Sequence, residues 1–300
     1  MPDARLDAAL GERGLARSRT HAAKLIIDGL VTVDGIAQVK PSFRVREDAD
    51  IVVAGADHYV SRAAHKLVAA LDAFGIDPAG RVAIDAGAST GGFTQVLLER
   101  GAALVLAIDV GHGQLASEIQ QNRAVTVVEG FNIRDLTREW VLAQLRSPEG
   151  VKDPEISAGP ELFPGDSGPG DSGPGDSAAA EPAAGELPSL VVADLSFISL
   201  GLVLEPLRDS VDPAADFVLL VKPQFEVGRG GIREGIVRDQ GLRQDSVNNI
   251  LWAAWDLGLP TAGIVPSPIA GSAGNREYLV WLSATGSNPS QWIDTVAALV

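Results

Sequence analysis

The sequence predicts an α/β protein: a mostly parallel, Rossmann-like sheet whose last strand is antiparallel, preceded by a small α+β unit. Three observations predict it. Residues 82–94, VAIDAGASTGGFT, read as a short buried strand, a glycine-rich turn and a helix start, the first unit of a nucleotide-binding crossover. Beyond them, apolar runs of strand length alternate with helical spacing, which calls for parallel strands joined by crossover helices. The first fifty residues follow another pattern, two short helices and a hairpin signal.

Within that first unit, residues 5–13 read as an amphipathic helix with Leu6, Ala9 and Leu10 on one face. Ser18 or Thr20 can cap a second helix that runs through Ala22, Ala23, Leu25, Ile26 and Ile27 to Gly29. VTV at 31–33 followed by Asp34-Gly35 is a hairpin signal, with a further strand near 50–53. Residues 1–46 hold eight Lys/Arg against five acids, so this part is locally basic. Arg17, Arg19 and Lys24 would stand exposed beside the core, either a phosphate-binding face or an ordinary solvated one. Arg5-Leu6-Asp7, Ser18-Arg19, Ile27-Asp28-Gly29 and the VTVDG turn resemble the S4 RNA-binding module over residues 3–55. That resemblance implies RNA binding and adds Arg5, Lys40 and Arg44 to the candidate RNA contacts. The expected division is an S4-like domain at 1–57, a connector at 58–61 and a catalytic domain at 62–300.

The catalytic part opens with a helix, SRAAHKLVAALDAFG, in which Ala64, Leu67, Val68 and Leu71 keep helical spacing and Lys66 interrupts the apolar face. A lysine there usually carries its charge out to solvent. In the glycine turn, Gly87, Gly91 and Gly92 depart from G-x-G-x-x-G, because Ser89 stands where the second glycine would. Asp85 closes the first strand, where its carboxylate can face solvent or a ligand, and Asp109 closes the second, LVLAIDV. An acid at that second position suits the two hydroxyls of a ribose. The combination favours S-adenosylmethionine, although NAD, another nucleotide or an unliganded tight turn also fit this stretch alone. Candidate cofactor contacts are Asp85, Gly87, Ala88, Ser89, Gly91, Gly92, Phe93, Asp109, Val110, Asn132 and Asp194. A helix is expected from Gln114, a third strand at 124–128 and a helix at 136–145.

Residues 147–189 break the pattern. GDSGPGDSGPGDS repeats a five-residue unit, and the segment holds nine acids and one Lys out of a chain net charge of −15. It has too few apolar residues to fold alone and reads as a disordered acidic insertion, either a passive linker or an electrostatic mimic that keeps stray RNA away. The alternation then resumes with a strand at 190–193 closed by Asp194, and a strand at 217–221 closed by Lys222-Pro223. A helix at 238–257, a strand at 261–265, an antiparallel last strand at 276–282 opened by Glu277, and a terminal helix at 292–300 complete the chain.

Asp194, Lys222 and Glu277 would all lie at the carboxyl edge of the sheet, where open α/β sheets bind ligands, with Lys66 overhanging it. Two lysines and two acids there suit methyl transfer to a ribose 2′-hydroxyl. The alcohol is a poor nucleophile until its proton is being removed. A neutral lysine can remove it when burial and a neighbouring cation lower its pKa. Lys222 is the candidate base, Lys66 the neighbouring cation, Asp194 the orienting acid and Glu277 the holder of Lys66 and the ribose. Structural ion pairs at a sheet edge are the plainer reading of the same four residues. DAGASTGGFT, DLSFISL, VKPQFE, GNREYL and SRAAHKL, with the S4-like start, resemble the TlyA family of ribosomal RNA 2′-O-methyltransferases. Its catalytic domain is a Rossmann-like, S-adenosylmethionine-dependent methyltransferase of the FtsJ kind. The resemblance implies a catalytic tetrad of Lys66, Asp194, Lys222 and Glu277, cytidine 2′-O-methylation in 16S and/or 23S rRNA, and ribosomal subunits as partners. Relatives also carry a haemolysin label.

Composition bounds the alternatives. The chain has no cysteine, which excludes disulfides and thiolate metal sites, and suits a cytoplasmic home. His21, His58, His65 and His112 show no metal spacing, so no metal is expected. No apolar run is long enough for a membrane span, and the charged start MPDARLDAALGERG has no signal-peptide core. Three rivals remain beside the methyltransferase: a non-enzymatic RNA-binding assembly factor, a membrane-lytic protein and an S4-bearing pseudouridine synthase. Intact acid and lysine positions, the lack of a cationic amphipathic helix, and the glycine turn with Asp109 argue against them in turn.

Overall fold

The computed structural model describes residues 4–13, 15–16, 18–27, 29–46, 48–53, 58–146, 186–228, 231–232, 234–271 and 274–300. They fall into two compact units, Met1–His58 and Tyr59–Val300.

The first unit runs β1 Ala4–Arg5, α1 Leu6–Glu12, α2 Arg19–Ile27, β2 Val31–Val33, β3 Ile36–Gln38, β4 Arg44–Val45 and β5 Ile51–Val53. Three strands form an antiparallel sheet in the order β3-β2-β5, and β1 pairs with β4. Leu6, Leu10 and Ile26 from the helices pack with Val31, Val33, Ile51 and Val53 from the sheet. The hairpin forms where the sequence places it: Asp34 (φ 50°) and Gly35 (φ 78°) are both left-handed, the pairing that a two-residue turn between twisted strands requires. Ser18 provides the cap of α2, its Oγ accepting from the His21 amide at 3.1 Å.

The second unit is a layered α/β domain. Its elements are α3 Ala64–Phe74, β6 Val82–Ala86, α4 Gly92–Glu99, β7 Leu104–Asp109, α5 Ser117–Gln120, β8 Val125–Glu129, α6 Arg138–Arg146, β9 Leu190–Ala193, α7 Leu204–Asp209, β10 Asp216–Val221, α8 Pro223–Glu226, α9 Gln240–Asp256, β11 Thr261–Pro266, β12 Tyr278–Leu282 and α10 Ile293–Leu299. The seven strands lie in the order β11-β12-β10-β9-β6-β7-β8. All neighbours are parallel except β12, which is antiparallel to both β10 and β11. The expected Rossmann-like sheet with an antiparallel last strand is therefore borne out.

Side-chain alternation builds two cores. Ile84, Leu106, Ile108, Val191, Phe217 and Leu219 point to one face, against α7, α9 and α10. Ala83, Val105, Leu190, Val192, Val218 and Leu220 point to the other, where Leu67 and Leu71 of α3 and Val96 and Leu97 of α4 cover them. A parallel strand buried on both faces reads as a continuous apolar run, as LVVA and FVLLV do.

Element ends shift by a residue or two in several places, and three of the differences have a local cause or bear on the site. The helix expected from Gln114 is a single turn beginning at Ser117, because residues 110–116 form a turn that the Asp109 carboxylate holds through the Gly111 amide (2.6 Å). The last strand begins at Tyr278, so Glu277 stands just before it. The helix expected from 238 starts after Asp239, whose side chain caps it by accepting from the Leu242 amide at 2.9 Å. Residues 147–185 of the expected acidic insertion lie outside the described residues.

The amino edge of the sheet is stapled by Asp216. One carboxylate oxygen takes the Arg81 guanidinium at 2.9 Å, the other the Trp281 indole N–H at 2.9 Å. Arg81 also donates to the Ser189 hydroxyl (3.1 Å) and to its carbonyl. The ends of β6, β9, β10 and β12 are thus joined through one partly buried acid. Asp216→Ala leaves two donors without that acceptor and should cost about 2 kcal/mol. That lowers Tm by roughly 4–8 °C for a domain of this size; calorimetry on the full chain is the check.

Candidate active site

The glycine turn after β6 runs against the turn that follows β9. Gly87 has φ 84°, and a Cβ on it would stand 3.1 Å from the Asp194 carbonyl oxygen, so both its conformation and the close approach exclude a side chain. Ser89 continues the turn, and its amide donates to Asp109 Oδ2 at 2.9 Å. Asp109 accepts from Ser89 and Gly111, one amide on each oxygen, and each oxygen keeps a lone pair for a ligand hydroxyl. Next to it, Val110 is 69% exposed, an aliphatic surface without cover.

A cleft of about 1020 Å³ runs along this edge, lined among others by Gly87, Ser89, Asp109, Val110, Asn132 and Asp194. Asn132 caps a short 3₁₀ turn, accepting from the Arg134 amide at 3.1 Å. A second cleft of about 210 Å³, lined by Ala88, Gly92, Phe93, Asp194, Ser196 and Lys222 among others, shares Gly87, Ser89, Asp194 and Ser196 with the first. The Phe93 ring belongs mainly to the core under α3 and α4, where it is buried. Gly91 (φ 94°) caps α4 and lines neither cleft.

Asp85 behaves differently from the expectation of an acid facing solvent or ligand. It is fully buried beneath the turn, where Thr94 Oγ1 on the first turn of α4 donates to Oδ2 at 2.6 Å and Oδ1 has no hydrogen-bond partner among the described residues. Burial above all, with Asp194 and Asp109 nearby, pushes its pKa up to about 7 against the pull of Thr94.

The four chemistry-bearing residues converge. Asp194 follows β9, Lys222 follows β10, and Glu277 precedes β12, which runs the opposite way. All three therefore emerge at the carboxyl edge, and Lys66 reaches it from α3. Lys66 Nζ lies 2.7 Å from Glu277 Oε2 and 3.5 Å from Asp194 Oδ2. Lys222 Nζ lies 2.6 Å from Asp194 Oδ1. Lys66, Lys222 and Glu277 are buried, so Lys66 does not carry its charge out to solvent. Buried charges persist when paired in this way. Gly271 leaves room for the acid, since a Cβ there would collide with Glu277 Oε1, and the Gln224 amide approaches the same oxygen at 3.5 Å.

Sequence reasoning missed the residues of the DLSFISL turn. Ser196 accepts from Lys222 Nζ at 2.8 Å. Phe197 has φ 64°, is 92% exposed, and its ring lies 5.3 Å from that of Phe225. Glu226 ties the turn down, accepting from the Ser199 hydroxyl and, at 2.9 Å, from the Leu200 amide. An aromatic and a serine three residues or fewer after a strand-ending acid were the available signal.

In the first unit, Arg5 and Arg19 both reach the buried Asp7, at 2.7 and 3.3 Å, and Arg5 chiefly holds the Asp7 carboxyl down to about 2. Lys24, Lys40 and Arg44 are exposed. Arg17 lies outside the described residues. Among the described residues no group of three or more acids and histidines could hold a metal ion, and no helix is long and apolar enough to cross a membrane.

A mostly parallel sheet with an antiparallel last strand, and Lys66, Asp194, Lys222 and Glu277 gathered at its carboxyl edge, agree with the methyltransferase class that the sequence resemblance implied. Residues 59–284 match the model of the FtsJ-like methyltransferase family, and the chain belongs to that family. Residues 4–51 match the S4 domain, as the sequence resemblance implied. The 16S/23S rRNA (cytidine-2′-O)-methyltransferase TlyA of Mycobacterium tuberculosis is 44% identical over 282 residues, 93% of this chain and 89% of that protein. Hemolysin A of Brachyspira hyodysenteriae is 33% identical over 276 residues, 92% of this chain and 98% of that one. The solved structure of a protein described as a hemolysin from Streptococcus thermophilus matches with a TM-score of 0.66 at 32% identity, covering 99% of this chain and 95% of the other.

The buried Asp85 makes a pH-dependent prediction. Its folded pKa, about 7, lies above the unfolded value near 3.9. Between about pH 4 and 7 the folded chain therefore keeps a proton that the unfolded chain has shed. The contribution of Asp85 to stability falls as pH rises through that window and is constant on either side of it. Urea titrations of the apoprotein should show this fall, and Asp85→Asn should remove most of it, so that the variant gains on the wild type as pH rises.

Proposed function

We propose that this chain transfers a methyl group from S-adenosylmethionine to the 2′-hydroxyl of a cytidine ribose in ribosomal RNA, working in the cytoplasm on 16S and/or 23S rRNA. The observation that carries the reading is the buried sequence of contacts Glu277–Lys66–Asp194–Lys222 beside the cleft. The names of the relatives support ribosomal RNA and cytidine, and the S4 match supports RNA as the substrate class.

The cleft suits the cofactor on its own chemistry. Asp109 offers two acceptor oxygens for ribose hydroxyls, exposed Val110 offers an apolar cover for an adenine ring, and the Gly87 turn leaves backbone open to the methionyl part. When bound, S-adenosylmethionine supplies an electrophilic methyl group on a sulfonium. Lys222, in its neutral form, would take the 2′-hydroxyl proton on Nζ. Asp194 orients Lys222 and balances the ammonium that results. With Lys222 neutral, the quartet bears one net negative charge, which complements a sulfonium. Lys66 ties Asp194 to Glu277, and Glu277 is the acceptor for the target ribose. Fixing the hydroxyl in line for transfer would supply much of the rate. Phe197 and Phe225 present rings at the cleft wall on which an unstacked base can lie, the usual way single-stranded RNA is held.

The test is transfer from radiolabelled S-adenosylmethionine to purified 30S and 50S subunits, with 2′-O-methyl mapping. Label at a single class of ribose is expected, abolished by Lys222→Ala while cofactor binding persists. No label on either subunit, with the cofactor bound, would favour an assembly factor instead. Arg17→Ala with Arg19→Ala should weaken RNA binding several-fold, reduce the salt slope of binding by about 2, and leave cofactor affinity unchanged. RNA affinity equal to wild type would leave that face as solvated surface only.

A further inference from the structure

Lys222 has a second partner besides its acid. Nζ lies 2.6 Å from Asp194 Oδ1 and 2.8 Å from Ser196 Oγ. Ser196 sits two residues beyond Asp194, on the same turn, and lines both clefts. We infer that Ser196 is a positioning residue for the base: it accepts one N–H of Lys222 in a hydrogen bond, beside the ion-pair contact with Asp194, and so helps to aim the remaining lone pair. The inference rests on the reading of Lys222 as the base.

The argument is geometric. A neutral primary amine is tetrahedral, with one bond to Cε, two N–H bonds and one lone pair. A single acceptor fixes one N–H and leaves the other free to exchange places with the lone pair by rotation about Cε–Nζ. Here Ser196 fixes one N–H, and the carboxylate oxygen of Asp194, 2.6 Å away as an ion-pair contact, repels the lone pair and favours N–H on its side, so the lone pair takes the direction left. The rest of the side chain is already confined: Lys222 is 7% exposed, and the Phe225 ring flanks Nζ at 5.9 Å from its centroid.

Ser196 itself is held by backbone. The turn from Asp194 to Leu200 is pinned at its far end by Glu226, and the left-handed Phe197 reverses the chain just after the serine. Ser196 is exposed on its outer side, so its own hydrogen can point to water while a lone pair accepts from Lys222. The opposite polarity, with the hydroxyl donating to Nζ, would occupy the lone pair. Asp194 does not accept that hydrogen in place of water, because its described contacts are with the two lysines. Once Lys222 has taken the substrate proton, Ser196 still accepts one of its three N–H bonds and Asp194 still balances the ammonium at 2.6 Å, so the newly formed N–H is the one that changes hands when the site resets.

The experiment measures kcat and both KM values for the full chain as Ser196→Ala, Ser196→Cys and Ser196→Thr, with Lys222→Ala in the same series and a thermal melt of each. Ser196→Ala should lower kcat about three- to tenfold, the worth of one net hydrogen bond, with both KM values unchanged. Cysteine fills the space but accepts weakly, so Ser196→Cys should stay as slow as alanine, whereas Ser196→Thr should return to within about twofold of wild type. A wild-type kcat in Ser196→Ala, a loss that falls on KM, full rescue by cysteine, or a threonine variant as slow as alanine with an unchanged melt would each overturn the inference. Turnover retained in Lys222→Ala would remove the base assignment and this inference together. An inactive Lys222→Ala beside a fully active Ser196→Ala would remove this inference alone.

Discussion

Two lysines share one carboxylate. Asp194 takes Lys222 on one oxygen at 2.6 Å and faces Lys66 on the other at 3.5 Å. Neither ammonium could remain buried without such a partner, because desolvation costs several kcal/mol per ion. The sharing works only if three strand ends and one helix meet within hydrogen-bond reach. The parallel register of β9 against β10 brings Asp194 and Lys222 to the same edge, and the antiparallel β12 delivers the residue before its start rather than the one after its end. Reversing β12 would send Glu277 to the far side of the sheet. The antiparallel last strand is therefore a requirement of the site, and α3 is placed by its need to cover the sheet with Leu67 and Leu71 while Lys66 leans over the edge.

The two edges of the sheet divide the work. At the amino edge, Asp216 binds Arg81 and Trp281 and joins four strands with partly buried, fully directed hydrogen bonds. At the carboxyl edge, the polar groups are arranged around open clefts. A rigid far edge lets the near edge hold its ionisable groups in fixed positions, because register errors cannot accumulate across strands whose other ends are tied.

Much of this was legible in the sequence. Strand-ending residues are easy to read when the strand is an apolar run, which is why Asp109, Asp194 and Lys222 were found, and Asp34-Gly35 marked its hairpin because only a few residue types accept two left-handed positions. What was not legible depended on groups distant in sequence. Asp85 reads as a ligand-facing acid, yet it is drawn under the turn by Thr94 on the following helix. The backbone at Phe197 is set by Glu226, 27 residues from the Ser199 it binds, and no local pattern signals a left-handed phenylalanine. Ser196 carried only a weak signal for a related reason: a serine shortly after a strand-ending acid is ordinary until Lys222 is seen beside it. In the first unit, the basic face could be counted and Asp7 stood in the Arg5-Leu6-Asp7 motif, but that this acid is buried and gathers both Arg5 and Arg19 could not be read from the sequence.

Phe197 shows what such a site implies for engineering. A phenylalanine in the left-handed region carries backbone strain of about 1–2 kcal/mol, and its ring is almost wholly in water. Judged by folding alone, glycine or a polar residue would suit the position better. A thermostabilising redesign guided by backbone preference and surface polarity would choose this residue among its first replacements and gain a more durable protein. The same choice would strip the aromatic wall from the cleft, so the features that mark this position as a flaw in stability are the ones that mark it as a part of the site.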